Sequence, residues 1–389
     1  MQSIDNNTQA FLALVRGGLW ETEARLSQYN DIDFSQVLKL AGEQSVVGLV
    51  SAGLEQVRDE KVPKEVTLQV VGQILQLEQR NLAMNNFIRE LVENMRQRDI
   101  YTLLIKGQGI AQCYEKPLWR CSGDVDLLLS DSNYYKAKDY LIPLAVSSRV
   151  EGDFGLHQEL IIEPWVVELH GDIQNGLSRK IDRMLKEVKK NLFYRENVRS
   201  WINGNTTIYL PCVDDDVIIV FTHIIKHLFK GGIGLRQICD WCRLLWKFGE
   251  SIDKKLLEKR ISSMSLMTEW RVFAVLAVEY LGMPIEAMPL YDNSAKWKKK
   301  ADRIMRFVLY VGNFGHNKDY SYQSRYLGVV RKMISFWIQL KDNFTLSHVF
   351  PMDSLRFLVS FTILKTKKSL QYVGNRGTGT CSKNNMSQH

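Results

Sequence analysis

Long apolar runs are absent from this sequence of 389 residues, since none reaches the roughly 18–20 residues that a membrane-spanning helix needs. The first residues, MQSIDNNTQAFLALVRGG, place no basic segment before a long apolar one, so we expect no signal peptide. Cysteine is scarce, with six residues in the chain, which argues against a disulfide framework. These absences predict a globular protein of the cytoplasm.

The common nucleotide-binding motifs are also missing. No GxxxxGK(S/T) stretch occurs, which excludes a P-loop protein. The stretch GQGIAQ supplies Gly107 and Gly109 of a dinucleotide fingerprint, but Gln112 stands where the third glycine is required. The segment before it has a helical pattern rather than the start of a βαβ series, which is a second argument against a dinucleotide-binding fold.

The zinc motifs in the chain are incomplete. Cys239 and Cys242 form one CxxC inside a predicted helix with no second pair nearby, so we interpret them as buried thiols. His223 and His227 are one helical turn apart, but Ile224 replaces the glutamate of the HExxH protease motif. We expect these histidines to pack on a helix that faces the candidate cleft, with zinc binding as the alternative.

Basic residues exceed acidic ones, giving a net charge of +8 and a pI near 9.0. This balance suits polyanionic partners such as nucleotides, RNA or an acidic membrane surface, and it does not choose among them. Much of the excess lies late, in KWKKKADRIMR and KTKK, where solvated helix faces are the simpler explanation. No RRM, KH, zinc-finger or helix-turn-helix signature appears.

The periodicity predicts an α+β fold, with a compact α/β unit of at least four strands between helical segments. We expect an N-terminal helical segment over 1–98, an α/β core over 99–212 and a helical region over 213–375. Within the core, YTLLIKG and DVDLLLS are buried strands, a helix covers 132–146, and residues 158–173 form a hairpin broken at Glu163-Pro164. The aspartates at 214–216 are expected to cap a helix, and the polar residues 376–389 form a disordered tail.

Asp124 and Asp126 flank a single valine at the start of the second predicted strand. Side chains alternate along a strand, so both carboxylates point to one face while Val125 points to the other. Two carboxylates on one face can converge on one or two hard cations, which would relieve their repulsion. The alternative is that the pair merely caps the solvent end of the strand.

The neighbouring segments strengthen the metal interpretation. Lys106 and Gly107 lie at a strand-to-helix turn, where glycine permits a phosphate to approach the backbone and lysine adds a positive charge. Glu168, in the strand WVVELHG, is the favoured third carboxylate over Glu163 and Asp172, because it lies mid-strand between apolar residues. Three acids near a glycine turn predict a two-metal site for phosphoryl or nucleotidyl transfer. His170 shares the face of Glu168 and either borders this site or packs at the strand end.

Several motifs together carry a family resemblance. The order LLIKG, Tyr114, Pro117, Arg120, GDVDLLL and VVELHGDI, followed by HIIKHLFKGGIGLRQICDW, resembles the uncharacterised bacterial nucleotidyltransferase family of the polymerase-β-like superfamily. The resemblance covers roughly residues 40–275. It implies a mixed sheet with the metal-binding Asp-x-Asp on its second strand.

Site residues follow from this resemblance residue by residue. Asp124, Asp126 and Glu168 would be the metal ligands and catalytic acids. The nucleotide-binding positions would be Lys106, Gly107, Gln108, Arg120 and Gly123, with Arg120 near the triphosphate. His170, Arg236 and Asp240 would border the substrate cleft.

Some of these assignments have alternatives. Gln108 departs from the serine that usually follows the turn glycine, which puts the triphosphate contact and activity itself in question. Arg120 has a structural alternative, an ion pair with Asp124 or Glu115. Arg236 and Asp240 are four residues apart on a predicted helix, so an exposed pair of small energetic value is the other interpretation.

The expected activity is Mg²⁺-dependent transfer of an NMP group from an NTP to an acceptor hydroxyl, with two Mg²⁺ ions and Mn²⁺ as a substitute. The acceptor is undetermined and is a small molecule, RNA or protein. Two alternatives remain: toxin-like nucleotidylation of RNA or protein, and a degenerate module that binds a nucleotide or partner without catalysis. The basic late helices favour a macromolecular acceptor over a small one.

Overall fold

The computed structural model describes residues 5–150, 156–194, 197–315, 328–356 and 358. Its helices are Asn6–Trp20 (α1), Phe34–Glu43 (α2), Val47–Leu54 (α3), Lys64–Arg96 (α4), Gly107–Ala111 (α5), Asp131–Leu141 (α6), Arg179–Tyr194 (α7), Val213–Lys230 (α8), Leu235–Phe248 (α9), Lys254–Met264 (α10), Met267–Glu279 (α11), Ala295–Val311 (α12) and Gly328–Ser347 (α13). Its strands are Thr102–Ile105 (β1), Val125–Leu129 (β2), Ser147–Val150 (β3), His157–Ile162 (β4), Trp165–His170 (β5), Val198–Asn203 (β6) and Thr206–Pro211 (β7). The expected tail over 376–389 lies outside the described residues.

Five strands form a mixed sheet in the order β1-β2-β5-β4-β3. The β2–β5 pair is parallel, whereas β1–β2, β4–β5 and β3–β4 are antiparallel. The strands β6 and β7 form a separate hairpin. The architecture confirms the predicted α+β class with its small mixed sheet.

Alternating side chains of the central strands face two separate cores. Leu127 and Leu129 point to a core built with α4 and α6, whereas Leu128 points to a larger core that includes α8, α9 and the N-terminal helices. Asp126 has the same parity as Leu128 on β2, so its side chain points toward the side covered by α8. The strand pattern therefore decides which helices can reach the acidic residues.

Two helix boundaries differ from the expectation. The predicted helix over 132–146 ends at Leu141, because Pro143 follows in a short 3₁₀ turn, and β3 begins soon afterwards. The aspartates at 214–216 do not cap α8, whose N-cap is Cys212. They lie in its first turn, where Asp215 contacts Arg260 at 2.8 Å and Asp216 pairs with Arg199.

The hairpin over β4 and β5 turns at Glu163-Pro164, as predicted, with Ile162 paired to Trp165. The strand β6 was not predicted. Its hairpin with β7 turns through Gly204, whose φ of +63° suits glycine, and the Asn-Gly sequence before β7 was an available turn signal.

The N-terminal helices pack closely against the segment that precedes β2. A Cβ atom on Gly48 of α3 would lie 1.7 Å from the carbonyl oxygen of Trp119, and one on Gly18 of α1 would lie 1.9 Å from that of Leu49. Only glycine permits these two approaches. Among the described residues, no helix is both long and apolar enough to cross a bilayer.

Candidate active site

Three carboxylates meet at the ends of two parallel strands. Asp126 of β2 is the register partner of Glu168 of β5, and Asp124 directly precedes β2. One oxygen from each of the three side chains lies within 4.8 Å of the others. The structure thus brings together the three acids that the sequence analysis selected.

Lys106 enters this cluster from the end of β1. Its backbone φ of +57° is uncommon for a residue with a side chain, and Gly107 follows with a φ of +42°. The Lys106 Nζ lies 2.6 Å from Asp126 Oδ1. Burial lowers the pKa of Lys106, but the charges of Asp126, Glu168 and Asp124 outweigh it and leave the pKa raised, so the ammonium is retained.

Two histidines form the other side of the cluster. His170 Nε2 lies 2.7 Å from Asp126 Oδ1 and 3.3 Å from Glu168 Oε2, while His157 Nε2 lies 3.2 Å from Glu168 Oε2. The two imidazole rings stack with centroids 4.5 Å apart. His170 therefore borders the site, which was one of its two predicted positions, the other being packing at the strand end. His157 was missed, although its position opposite His170 follows once β4 and β5 are paired.

The three acids have different electrostatic environments. The charge of Asp126, burial and the charge of Glu168 raise the pKa of Asp124 to about 7. Burial also raises the pKa of Asp126, but Lys106 and the hydrogen bond with His170 reverse this effect and lower it. For Glu168, hydrogen bonds with His157 and His170 likewise outweigh burial and lower the pKa. Asp124 is therefore the carboxylate whose negative charge is least compensated.

The donor atoms suit a hard divalent cation. Asp124, Asp126 and Glu168 provide the anionic oxygen ligands that Mg²⁺ prefers, and their spacing permits joint coordination. His157, Glu168 and His170 form a second possible ligand set that shares Glu168. The raised pKa of Asp124 fits a cation site, because a bound positive charge would offset the repulsion from Asp126 and Glu168 that raises this pKa.

A cavity of about 240 Å³ lies between the acidic strands and two helices. Its sheet side includes Lys106, Gly107, Gly123 and the acidic cluster. Its helical side includes His223, Lys226 and His227 of α8 and Arg236 and Asp240 of α9. The cavity thus has an acidic wall, and Lys226 and Arg236 supply positive charge on the opposite wall.

The α8 histidines face this cavity, as expected. Their ring centroids are 4.2 Å apart. Burial and nearby lysines lower the pKa of His227 to about 3 and that of His223 well below its usual value, so both imidazoles are neutral near pH 7. Neither belongs to a group of three potential metal ligands among the described residues.

Gln108 does not face the cavity. Its side chain is buried, and its Nε2 donates to Asn85 Oδ1 at 2.8 Å and to Asn81 Oδ1 at 3.3 Å. Asn81 in turn donates to the carbonyls of Leu118 and Arg120. The glutamine therefore fixes the turn and the loop against α4, and only the backbone of this position remains near the candidate phosphate turn.

Arg120 forms a buried ion pair with Asp240 of α9. Its Nε lies 2.7 Å from Asp240 Oδ1 and its Nη2 lies 2.8 Å from Oδ2, and Tyr114 donates to Oδ1 at 2.8 Å. The proposed pairing of Arg120 with Asp124 or Glu115 is therefore wrong. The predicted exposed ion pair between Arg236 and Asp240 is also wrong, because Asp240 is buried and pairs with Arg120.

Arg236 lies nearer the acids. Its Nη1 donates to the carbonyl of Cys121 at 3.0 Å, and a Cβ atom on Gly123 would lie 3.8 Å from that nitrogen. Lys226, which the sequence analysis did not select, lines the same wall. The sequence could have indicated this position, because Lys226 lies three residues after His223 and the two therefore share one helix face. Cys239 and Cys242 are buried, as predicted, and burial raises the pKa of both thiols.

The sequence model of one protein family, described as "Uncharacterised nucleotidyltransferase", matches residues 30–282, well over half of the chain. The matched segment contains the acidic cluster and the helices α8 and α9. No curated protein and no solved structure gives a significant match.

Proposed function

The chain belongs to the uncharacterised nucleotidyltransferase family, and we propose that it transfers a nucleoside monophosphate from an NTP to an acceptor hydroxyl. In this reaction the acceptor oxygen forms a bond to the α-phosphorus, the α–β phosphoanhydride bond breaks, and pyrophosphate leaves. The observation that carries the proposal is the convergence of Asp124, Asp126 and Glu168 within 4.8 Å beside a basic wall.

We assign Asp124, Asp126 and Glu168 as the residues that hold Mg²⁺. Bound there, the metal would neutralise phosphate charge and lower the pKa of the acceptor hydroxyl. The uncompensated charge on Asp124 supports this assignment, because a buried acid cluster without a cation is costly. Mn²⁺ satisfies the same oxygen ligands and serves as a substitute.

The remaining groups have distinct tasks in this proposal. Lys106 balances the charge of Asp126, and His170 fixes the orientation of the same carboxylate. Gly107, which has no side chain, leaves the backbone at the turn accessible to a phosphate. We assign orientation of the acceptor hydroxyl to Glu168, whose Oε2 is held by His157 and His170, and the proton of that hydroxyl passes to solvent as the new bond forms.

The acceptor remains open among a small molecule, RNA and protein. Incubating the protein with each radiolabelled NTP, Mg²⁺ and cell extract distinguishes these classes by what becomes labelled. Label on tRNA or on a protein would identify a toxin-like nucleotidylation. Binding of NTP without any labelled product and without a metal requirement would identify a non-catalytic module instead.

The double substitution Asp124→Asn with Asp126→Asn tests the site assignment. We expect it to abolish Mg²⁺-dependent NTP turnover. Circular dichroism verifies that the variant is folded, because Asp126→Asn also removes the carboxylate that pairs with Lys106 and His170. Asp139→Asn, an exposed carboxylate on α6, is the matched control and should retain full turnover. Turnover that survives the double substitution would show that the acids are not the site.

A further inference from the structure

Among the described residues, two cations on the helical wall of the cavity, Arg236 and Lys226, form no ion pair. Arg236 makes one side-chain hydrogen bond, to the carbonyl of Cys121, and its Nε is buried without a hydrogen-bond partner. No carboxylate of the described residues lies within ion-pair distance of its guanidinium. An uncompensated guanidinium in a protein interior is costly, so its retention requires an explanation.

Other described arginines whose guanidinium groups are shielded from solvent show how a positive charge is balanced elsewhere in this protein. Four of them pair with a carboxylate: Arg120 with Asp240, Arg199 with Asp216, Arg243 with Glu21 and Arg260 with Asp215. Arg16, which is half-buried like Arg236, donates to the carbonyl of Tyr280 instead, but it does not line the cavity. Arg236 departs from that pattern at a position that lines the cavity. The missing anion is therefore best supplied by a ligand.

Lys226 of α8 presents the same imbalance on the same wall. Within the described part of the chain it has neither an ion pair nor a hydrogen bond from its ammonium group, and it lines the cavity with Arg236. Burial and the charges of Lys230 and Lys106 lower its pKa to about 8. A bound anion would reverse this shift, as a carboxylate does for the paired cations.

The position of these cations relative to the acids restricts the ligand. Arg236 lies against Gly123, which directly precedes Asp124, and both line one cavity with the acidic cluster. A ligand that spans the cavity must offer negative charge to the basic wall. A guanidinium binds phosphate oxygens through paired hydrogen bonds, and a lysine adds a point charge.

We propose that Arg236 and Lys226 form the subsite for the β- and γ-phosphates of the donor, and so for the leaving pyrophosphate. This proposal rests on the proposed nucleotidyl transfer and names the part of the cavity that takes the leaving group. Arg120, which the family resemblance placed near the triphosphate, is given no phosphate contact in this proposal because Asp240 already pairs with its guanidinium.

Binding of inorganic pyrophosphate in EDTA, measured by calorimetry at pH 7, tests the subsite without requiring turnover. The measurement uses the full chain carrying Asp124→Asn, which removes repulsion from the acid that makes no ion pair within the described residues and leaves Lys106 paired with Asp126. Added to this protein, Arg236→Gln should weaken pyrophosphate binding about tenfold or more, and Lys226→Gln by several fold. Arg236→Lys should fall between, because it keeps the charge and loses the fork geometry.

Lys247→Gln is the matched control, since Lys247 is exposed on the same helix as Arg236, and it should bind as tightly as the parent protein. A near-ultraviolet circular dichroism spectrum verifies that each variant is folded. If Arg236→Gln does not fold, Arg236→Lys and Lys226→Gln decide the question.

Three results would overturn the proposal: no pyrophosphate binding by the parent protein, equal binding by the Arg236 and Lys226 variants, or equally tight binding of sulfate. The two proposals fail separately. Pyrophosphate binding that depends on Arg236, without NTP turnover by the unmodified protein, would retain the subsite and refute the transfer. NTP turnover that requires the acids, together with pyrophosphate binding that does not depend on Arg236, would retain the transfer and refute the subsite.

Discussion

Asp124 differs from the other two acids by lacking a counter-charge of its own. Asp126 contacts Lys106 and His170, and Glu168 contacts both histidines. Asp124 makes no ion pair within the described residues, which is why its pKa rises to about 7. The residue that a cation would stabilise most is thus the first member of the Asp-x-Asp pair.

This electrostatic cost predicts a pH-dependent effect of Asp124→Asn in metal-free buffer. The folded pKa of about 7 exceeds the ordinary 3.8, so the contribution of Asp124 to stability is fully present below pH 3.8 and is lost as the pH rises through 7. We expect the variant to match the wild type near pH 4. At pH 8 its free energy of unfolding should be higher by an amount on the order of 4 kcal/mol, given about 1.4 kcal/mol for each of the roughly three pKa units between 3.8 and 7.

Urea unfolding of both proteins in EDTA at pH 4 and pH 8 measures this difference directly. Comparing variant with wild type isolates Asp124 from the opposite contributions of Asp126 and Glu168. Added Mg²⁺ should reduce the advantage of the variant at pH 8, because the wild type gains a bound cation that the variant holds less well. An advantage of equal size at both pH values would contradict the raised pKa.

At the scale of elements, α9 fixes the loop that carries Asp124. Arg236, Asp240 and Arg243 lie on one side of the helix, at steps of four and three residues. They bind the carbonyl of Cys121, the guanidinium of Arg120 and the carbonyl of Cys113, respectively. Because these contacts follow the loop between α5 and β2, the helix determines where β2 begins and hence where Asp124 lies.

Asp240→Ala tests this anchoring. It leaves the buried Arg120 guanidinium without a carboxylate and Tyr114 without its acceptor, so we expect a loss of about 3–5 kcal/mol in the free energy of unfolding. Denaturant unfolding measures the loss. Glu279→Gln, which removes an exposed pair with Lys298, is the control and should cost less than about 1 kcal/mol. A similar small cost for Asp240→Ala would show that α9 does not hold the loop.

Local patterns and distant contacts were not equally predictable. The apolar runs revealed β1, β2 and the β4–β5 hairpin, and alternation placed Asp124 and Asp126 on one face. Nothing local showed that Arg120 would pair with a residue 120 positions away. The nearer candidates, Asp124 and Glu115, were ruled out by packing, because the loop directs the guanidinium toward α9. The hydrogen bonds from Gln108 to Asn81 and Asn85 were not predictable either, because packing of the turn against α4 brings these distant residues together.

At the scale of the whole molecule, the acidic strands are shared between two cores. Leu127 and Leu129 pack with Met84 and Ile88 of α4, while Leu128 belongs to the core that contains Ile218 of α8. The predicted α/β core over 99–212 contains neither helix. Fold class followed from composition and periodicity. The family resemblance was needed to place α9 at the site, because helix patterns show an apolar face without showing its partner.

This sharing predicts that residues 99–212 do not fold on their own. Without α4 and α8, both faces of β1 and β2 would expose apolar side chains, at roughly 25 cal/mol for each Å² left in water. The basic wall of the cavity would also be absent. We expect the isolated fragment to show narrow amide dispersion by NMR and no cooperative thermal transition, whereas the full chain unfolds cooperatively under the same conditions. A monomeric fragment with a sharp transition would show instead that the sheet is an independent domain onto which the helices dock.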